Sequence, residues 1–212
     1  MNKLLLVRPI VDFPVDDSQE LGIPQAYLHL AQYVRQKSNW EVSIIDYRLN
    51  MVLGREVNPM KDFLGFDVIG IGCSTSEFPP ALKLLSIAKK LGKVTVVGGI
   101  FPTQNKEYCL TYNEIDYIVC GEGEQSLLEL LNVLKRGVNE EKLEKVSSLS
   151  FKSCGRNIHN KCGKLLDSIS GISPETYSLL DLSNYAKFVS AHIMATRGCP
   201  YGVILKSPGL TE

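Results

Sequence analysis

Short runs of consecutive apolar residues recur along the chain, separated by longer stretches in which apolar positions repeat with helical spacing. Leu4–Val7, Val68–Ile71, Val94–Val97 and Tyr117–Val119 are runs of this kind, and Val42–Ile45 is a fifth. Near-continuous rather than alternating hydrophobicity predicts strands covered on both faces, as in a parallel sheet. Between them, Ile23, Tyr27, Leu30, Ala31 and Val34 mark one helix, with Pro24 suited to its first turn. Ala81, Leu84, Leu85 and Ala88 mark a second after Pro79-Pro80, with Gly92 as its stop. Leu127, Leu128, Leu131 and Leu134 mark a third, ending near Gly137. Strands alternating with helices predict a doubly wound, flavodoxin-like (Rossmann-like) α/β fold with parallel strand order 2-1-3-4-5 and Leu4–Val7 at its centre.

The rhythm changes near residue 145. Ser148–Lys152 and Ile158-His159, separated by Gly155-Arg156-Asn157, predict a C-terminal β-hairpin. Residues 163–190 carry Gly, Ser and Pro with little periodicity and read as a linker or wrapping segment. Ile193–Thr196 begins a fresh strand. The expected organisation is therefore an α/β domain over 1–145, a hairpin and linker over 146–190, and a separate start over 191–212.

Composition narrows the class without naming a function. In 212 residues, 44% are hydrophobic and 22% charged, and the formal net charge is zero. That balance fits an ordinary globular domain and offers no basic surplus for nucleic acid. The opening apolar run stops at Arg8-Pro9, too early for a signal peptide, and no stretch approaches the roughly 20 apolar residues of a membrane span. The expected location is the cytoplasm, with the six cysteines reduced.

In open α/β sheets, ligands bind at the loops leaving the carboxyl ends of the strands. Four such loops have unusual content. The first, Pro9 to Gly22, is long and acidic. The second is the hydroxyl run Ser74-Thr75-Ser76, which suits either a ligand or the capping of the next helix. The third is Gly98-Gly99-Ile100-Phe101, whose paired glycines allow a bulky group close to the backbone. The fourth is Gly121-Glu122-Gly123-Glu124, which lacks the third glycine of a dinucleotide fingerprint and would set two carboxylates against a pyrophosphate. A nicotinamide cofactor is therefore not expected. No Gly-x-Ser-x-Gly elbow occurs, and no catalytic residue is assigned. Cys154, His159 and Cys162 cluster in the hairpin, but their spacing matches no standard zinc site and a fourth ligand is missing.

Taken in order, these pieces resemble B12-binding radical-SAM proteins. The resemblance rests on Leu4-Leu5-Leu6-Val7-Arg8-Pro9, Leu21-Gly22-Ile23-Pro24 with its helix, Asp46, Ser74–Ser76, Val96-Val97-Gly98-Gly99 and Asp116 through Glu124. It is completed by Ala195-Thr196-Arg197-Gly198-Cys199-Pro200-Tyr201-Gly202, which is similar to the entry of a radical-SAM cluster loop. The resemblance implies a cobalamin against the carboxyl edge of the sheet, with its nucleotide tail running between strands. Asp17, Gln19, Gly22 and Ile23 would then belong to the cofactor site with the three later loops. Many B12 domains carry Asp-x-His-x-x-Gly, whose histidine ligates cobalt. Here the matching stretch is Asp17-Ser18-Gln19-Glu20-Leu21-Gly22, and an amide is a far poorer ligand than imidazole. The implied cobalamin therefore lacks a histidine lower ligand; the same loop also reads as an acidic surface loop.

The family's [4Fe–4S] cluster takes three cysteines spaced Cys-x-x-x-Cys-x-x-Cys and leaves one iron for S-adenosylmethionine. Cys199 fits the first position as a metal ligand, but Val203 and Lys206 stand at the other two. The expectation is a cobalamin-binding module of a radical-SAM enzyme whose cluster domain is missing. The cluster and S-adenosylmethionine would belong to an intact homologue only. The alternative expectation is a cofactor-free domain of the same fold, serving substrate recognition or interaction.

Overall fold

The computed structural model describes residues 2–11, 21–163, 166 and 171–185. Five parallel strands form its centre: β1 (Lys3–Arg8), β2 (Glu41–Asp46), β3 (Val68–Gly72), β4 (Val94–Gly98) and β5 (Tyr117–Val119). Their order is β2-β1-β3-β4-β5, with β1 paired on both sides, Leu4 opposite Val42 and Val68. The expected topology is thus met. The sheet then continues. The hairpin strands β6 (Leu149–Ser153) and β7 (Arg156–His159) add antiparallel to β5, giving seven strands. The hairpin is therefore an edge extension of the same sheet and covers β5 with backbone hydrogen bonds.

Strand alternation divides the core into two layers. Leu4, Leu6, Val42, Val68, Val96 and Val119 face one side. There they meet α1 (Gln25–Lys37) and α7 (Gly123–Arg136), whose buried Leu28, Val34, Leu127, Leu130, Leu131 and Leu134 lie on inward stripes. Leu5, Val7, Ile69, Ile71, Val97 and Ile118 face the other side. They meet α4 (Phe78–Lys90) and the short helices α2 (Tyr47–Val52), α3 (Pro59–Asp62), α5 (Ile100–Gln104) and α6 (Lys106–Cys109). Two covered faces explain why the strands are apolar at nearly every position.

The three long helices lie where the periodicity places them. Pro79-Pro80 fall inside the first turn of α4 rather than before it, where prolines cost no hydrogen bond. The short helices were not legible, because each is a single turn or little more without a repeat to reveal it. After β7, residues 171–185 run back across α1 through α9 (Pro174–Tyr177), which follows the further one-turn helix α8 (Glu140–Glu144) in the chain. Tyr185 ends this return, 1% exposed, among Leu21 and Leu49. The strand expected at 193–196 lies outside the described residues.

Candidate functional site

A cavity of about 300 Å³ opens at the carboxyl ends of β1, β3, β4 and β5, beneath α1 and α7. That volume is at the lower end of small-molecule sites, typically about 300–1,000 Å³. Its floor is made by missing side chains. Gly70 and Gly72 are two apart on β3, and Gly98 ends β4. All three line the cavity with Leu6, Val96 and Val119. Three bare positions on one face of adjoining strands leave a slot that ordinary residues would close. A Cβ at Gly70 would come within 2.9 Å of Leu6 Cδ2, and one at Gly98 within 3.2 Å of the Val119 carbonyl oxygen.

Tyr27, Ala26 and Leu30 of α1 form one wall. The Tyr27 hydroxyl donates to the Gly72 carbonyl at 2.7 Å and accepts from the Gly72 N–H at 3.1 Å. The phenol is fixed, and its burial, with the Glu77 charge next in weight, pushes its pKa well above the ordinary tyrosine value. It is a neutral hydrogen-bonding post. Gly121, Glu122, Gly123, Glu124 and Leu127 supply the opposite wall. The Gly123 Cα sits where a Cβ would be 3.1 Å from Leu30 Cδ2, so a glycine there lets α7 approach α1. Glu124 is 4% exposed in the first turn of α7, and Glu122 Oε2 accepts the Leu166 N–H at 3.3 Å. Carboxylates at a helix N-terminus favour the helix dipole and repel anions.

The expected site residues separate into three groups. Gly98, Gly99, Gly121, Glu122, Gly123 and Glu124 come together around the cavity. Gly99 has φ 94°, and a Cβ on it would lie 2.8 Å from both the nitrogen and the oxygen of Cys73, so the turn there demands glycine. Gly22, Ile23, Ser74, Thr75, Ser76, Ile100 and Phe101 are not among the residues that line the cavity. The Ser74 N–H and hydroxyl both donate to Glu77 Oε2, at 2.9 and 2.8 Å, which is the local turn role of that run. Ile100 is exposed while Phe101 packs on Phe78. Asp17, Gln19 and Cys199 lie outside the described residues. Sequence reasoning missed Gly70, Gly72 and Tyr27. The signal was present in Val68-Ile69-Gly70-Ile71-Gly72: glycines two apart in a buried strand share one face.

The buried cysteines behave as small hydrophobes. Burial, then Cys109 and Glu77, push the Cys73 thiol up to about 12. Among the described residues no three His, Cys, Asp or Glu side chains gather as a metal site. No described helix is long and apolar enough to cross a membrane.

A doubly wound sheet with an apolar, glycine-floored cavity at its carboxyl edge belongs to the class of open α/β folds in which ligands are taken up at the carboxyl ends of the strands. Comparison with known proteins narrows the class further. The B12 binding domain family matches residues 14–131, more than half of the chain, and the chain belongs to that family. It is 28% identical over 216 residues to an uncharacterized methyltransferase of Pyrococcus horikoshii, covering 98% of this chain and 46% of that protein. It is 30% identical over 140 residues to an anaerobic magnesium-protoporphyrin IX monomethyl ester cyclase of Synechocystis, covering 63% of this chain and 27% of that protein. The chain spans less than half the length of these relatives. Among solved structures, the cobalamin-dependent S-adenosylmethionine radical enzyme OxsB, with aqua-cobalamin and S-adenosylmethionine bound, superposes with a TM-score of 0.63. That match is 21% identical and covers 78% of this chain and 23% of OxsB; the likeness is one of fold.

Proposed function

We propose that this chain binds cobalamin as the cofactor module of a radical-SAM enzyme, with the cobalamin nucleotide base received in the glycine-floored slot. The observation that carries the reading is the slot itself. Gly70, Gly72 and Gly98 leave a largely apolar cleft of a size and character suited to a planar heterocycle. Bound cobalamin would supply a cobalt centre able to carry a methyl group or to assist radical chemistry.

The chain's own residues bind and orient. Leu6, Val96, Val119 and Leu127 offer apolar contact to both faces of the base, and Tyr27 fixes the wall that sets its depth. The Gly98-Gly99 turn lets a large ring lie close to the β4 end, with Ile100 exposed next to it. Asp17, Gln19, Gly22 and Ile23 complete the proposed site on the first loop. Because Gln19 replaces the histidine of the resemblance, cobalt has no histidine lower ligand in this reading. Electron paramagnetic resonance of the Co(II) form tests that point, since splitting by an axial histidine nitrogen would contradict it.

The partner in this reading is a radical-SAM domain carrying a [4Fe–4S] cluster and S-adenosylmethionine, in the cytoplasm. The substrate and reaction belong to that domain. The deciding experiment mixes the purified chain with hydroxocobalamin, desalts it and records the visible spectrum. A retained corrin band at one equivalent is expected. A colourless protein fraction would favour the cofactor-free interaction module instead.

A further inference from the structure

The segment 171–185 is bound to the same helix that walls the cavity, and on the opposite side of it. At 3.6 residues per turn, Ala26, Tyr27 and Leu30 share one face of α1, while Gln25, Gln32 and Arg35 fall roughly opposite. Gln32 is 5% exposed and makes three contacts with the segment. Its Nε2 donates to the Gly171 carbonyl at 2.9 Å, and its Oε1 accepts the Ser173 N–H at 2.6 Å and the Thr176 hydroxyl at 3.3 Å. Release of the segment exchanges these three contacts for water, so the position of α1 and that of the segment are energetically linked.

The far end of the segment is tied to the carboxyl edge of the sheet. The Tyr185 hydroxyl donates to Asp46 Oδ2 at 2.9 Å, and Arg8 Nη1 donates to the same oxygen at 3.1 Å. Arg8 Nη1 also donates to the Gly22 carbonyl at 2.9 Å, just before α1 begins. Asp46 Oδ1 accepts the Leu49 N–H, so both carboxylate oxygens are engaged. One buried network therefore joins the end of β1, the entry to α1 and the end of the returning segment.

We propose that α1 and the Arg8–Asp46–Tyr185 network couple the cavity to residues 171–185, so that filling the cavity fixes the position of that segment. A group seated against Ala26, Tyr27 and Leu30 holds α1 in one place. Gln32 on the reverse face, and Gly22 through Arg8, then hold the segment. Arg8, Gln32 and Tyr185 are positioning residues. Tyr185 is the last described residue of the segment, so the coupling fixes the point from which residues 186–212 continue. This inference rests on cobalamin binding in the slot.

Hydrogen exchange of the full chain, with and without saturating hydroxocobalamin, tests it. Retention of the corrin band is measured on the same samples. Exchange of the Ser173, Thr176 and Tyr177 amides is expected to slow roughly tenfold on binding, within the usual span of coupling between sites. Cobinamide, a corrin without the nucleotide tail, leaves the slot empty and should leave these amides unchanged. Tyr185→Phe keeps the ring but loses the hydroxyl, and Gln32→Leu removes the amide contacts. Each should abolish the ligand-dependent slowing and, by reciprocity, weaken hydroxocobalamin binding by a similar factor. Amides of β1 and β3 report that either variant is folded, and one folded variant suffices. Corrin retained with no change at Ser173, or equal slowing by cobinamide, would overturn the coupling while leaving cobalamin binding intact. Failure to retain any corrin would overturn the functional reading and the coupling with it.

Discussion

Gly98 has open space on the cavity side and a single atom, the Val119 carbonyl oxygen, within 4 Å of where a Cβ would stand. A valine there fills the slot and displaces little else. Gly98→Val should therefore fold, at a cost of about 1–3 kcal/mol for crowding, and should lose at least tenfold in hydroxocobalamin affinity by spectrophotometric titration. Unchanged affinity would remove the slot from the binding site. Asp67 acts at the other end of the sheet. Its Oδ2 accepts the N–H groups of Asn2, at 2.7 Å, and Lys3, at 2.9 Å, and so fixes the start of β1. Burial, the largest single influence, would raise its pKa, but the two N–H groups together with nearby positive charge, Lys93 included, outweigh it and hold the carboxyl below its ordinary value of 3.8. With a depressed folded-state value, the stabilisation is fully present above pH 3.8 and is lost as pH falls through that lower value. Asp67→Asn should destabilise the chain by roughly 1 kcal/mol at neutral pH, since the site is partly exposed and screened. Denaturant unfolding at pH 7 and at pH 3 checks it: the difference between wild type and variant should shrink at the lower pH.

Among the elements, the edge hairpin owes its place to side chains as well as to the β5–β6 ladder. Glu107 of α6 accepts from Asn157 Nδ2 at 2.6 Å and meets His159 Nε2 at 2.6 Å, while His159 Nδ1 lies 2.9 Å from Ser150 Oγ. These contacts cross from a helix on one face of the sheet to β7 at its margin. Asn157 first, and His159 after it, hold the Glu107 carboxyl below the usual range, so the clamp weakens as pH falls through that depressed value. Glu107→Gln should speed amide exchange in β7 several-fold at neutral pH and leave β1 and β3 unchanged. Equal exchange in both proteins would show that the β6–β7 ladder alone holds the strand. Helix α7 is the firmer element. Leu130 and Leu131 are fully buried between it and the sheet, and Leu131→Ala should cost about 2–5 kcal/mol in chemical unfolding.

At the scale of the whole molecule, the described residues form one seven-stranded sheet with a cavity at its carboxyl edge, and the cysteine content of residues 191–212 bears on cluster binding. Cys199 is the single cysteine of the cluster-like loop, with Val203 and Lys206 at the positions where two more thiolates would stand. Reconstituted anaerobically with iron and sulfide, the chain should take up adventitious iron only, because one thiolate cannot hold a [4Fe–4S] cluster. Iron and sulfide analysis beside the visible absorbance checks this. A full cluster per chain, abolished by Cys199→Ala, would refute it.

The sequence by itself determined the doubly wound sheet and its strand order. Leu4–Val7, Val68–Ile71 and Val94–Val97 are apolar at successive positions, too short for a buried helix and closed within two residues by Pro or Gly, which leaves a strand covered on both faces. It also marked Gly98-Gly99 and Gly121 through Glu124 as loops at the carboxyl edge, since they directly follow strands. Three things waited for the tertiary structure. Gly70 and Gly72 become a slot only when β1 and β4 flank β3 and bring Gly98 onto the same face. Tyr27 looks like an ordinary apolar helix position until packing sets its hydroxyl on the Gly72 backbone. The aperiodic stretch after β7 shows no pattern, because what orders it is Gln32 and Asp46, 139 residues away in each case. Periodicity along the chain records which face of an element is buried; it carries no record of which distant residue meets that face.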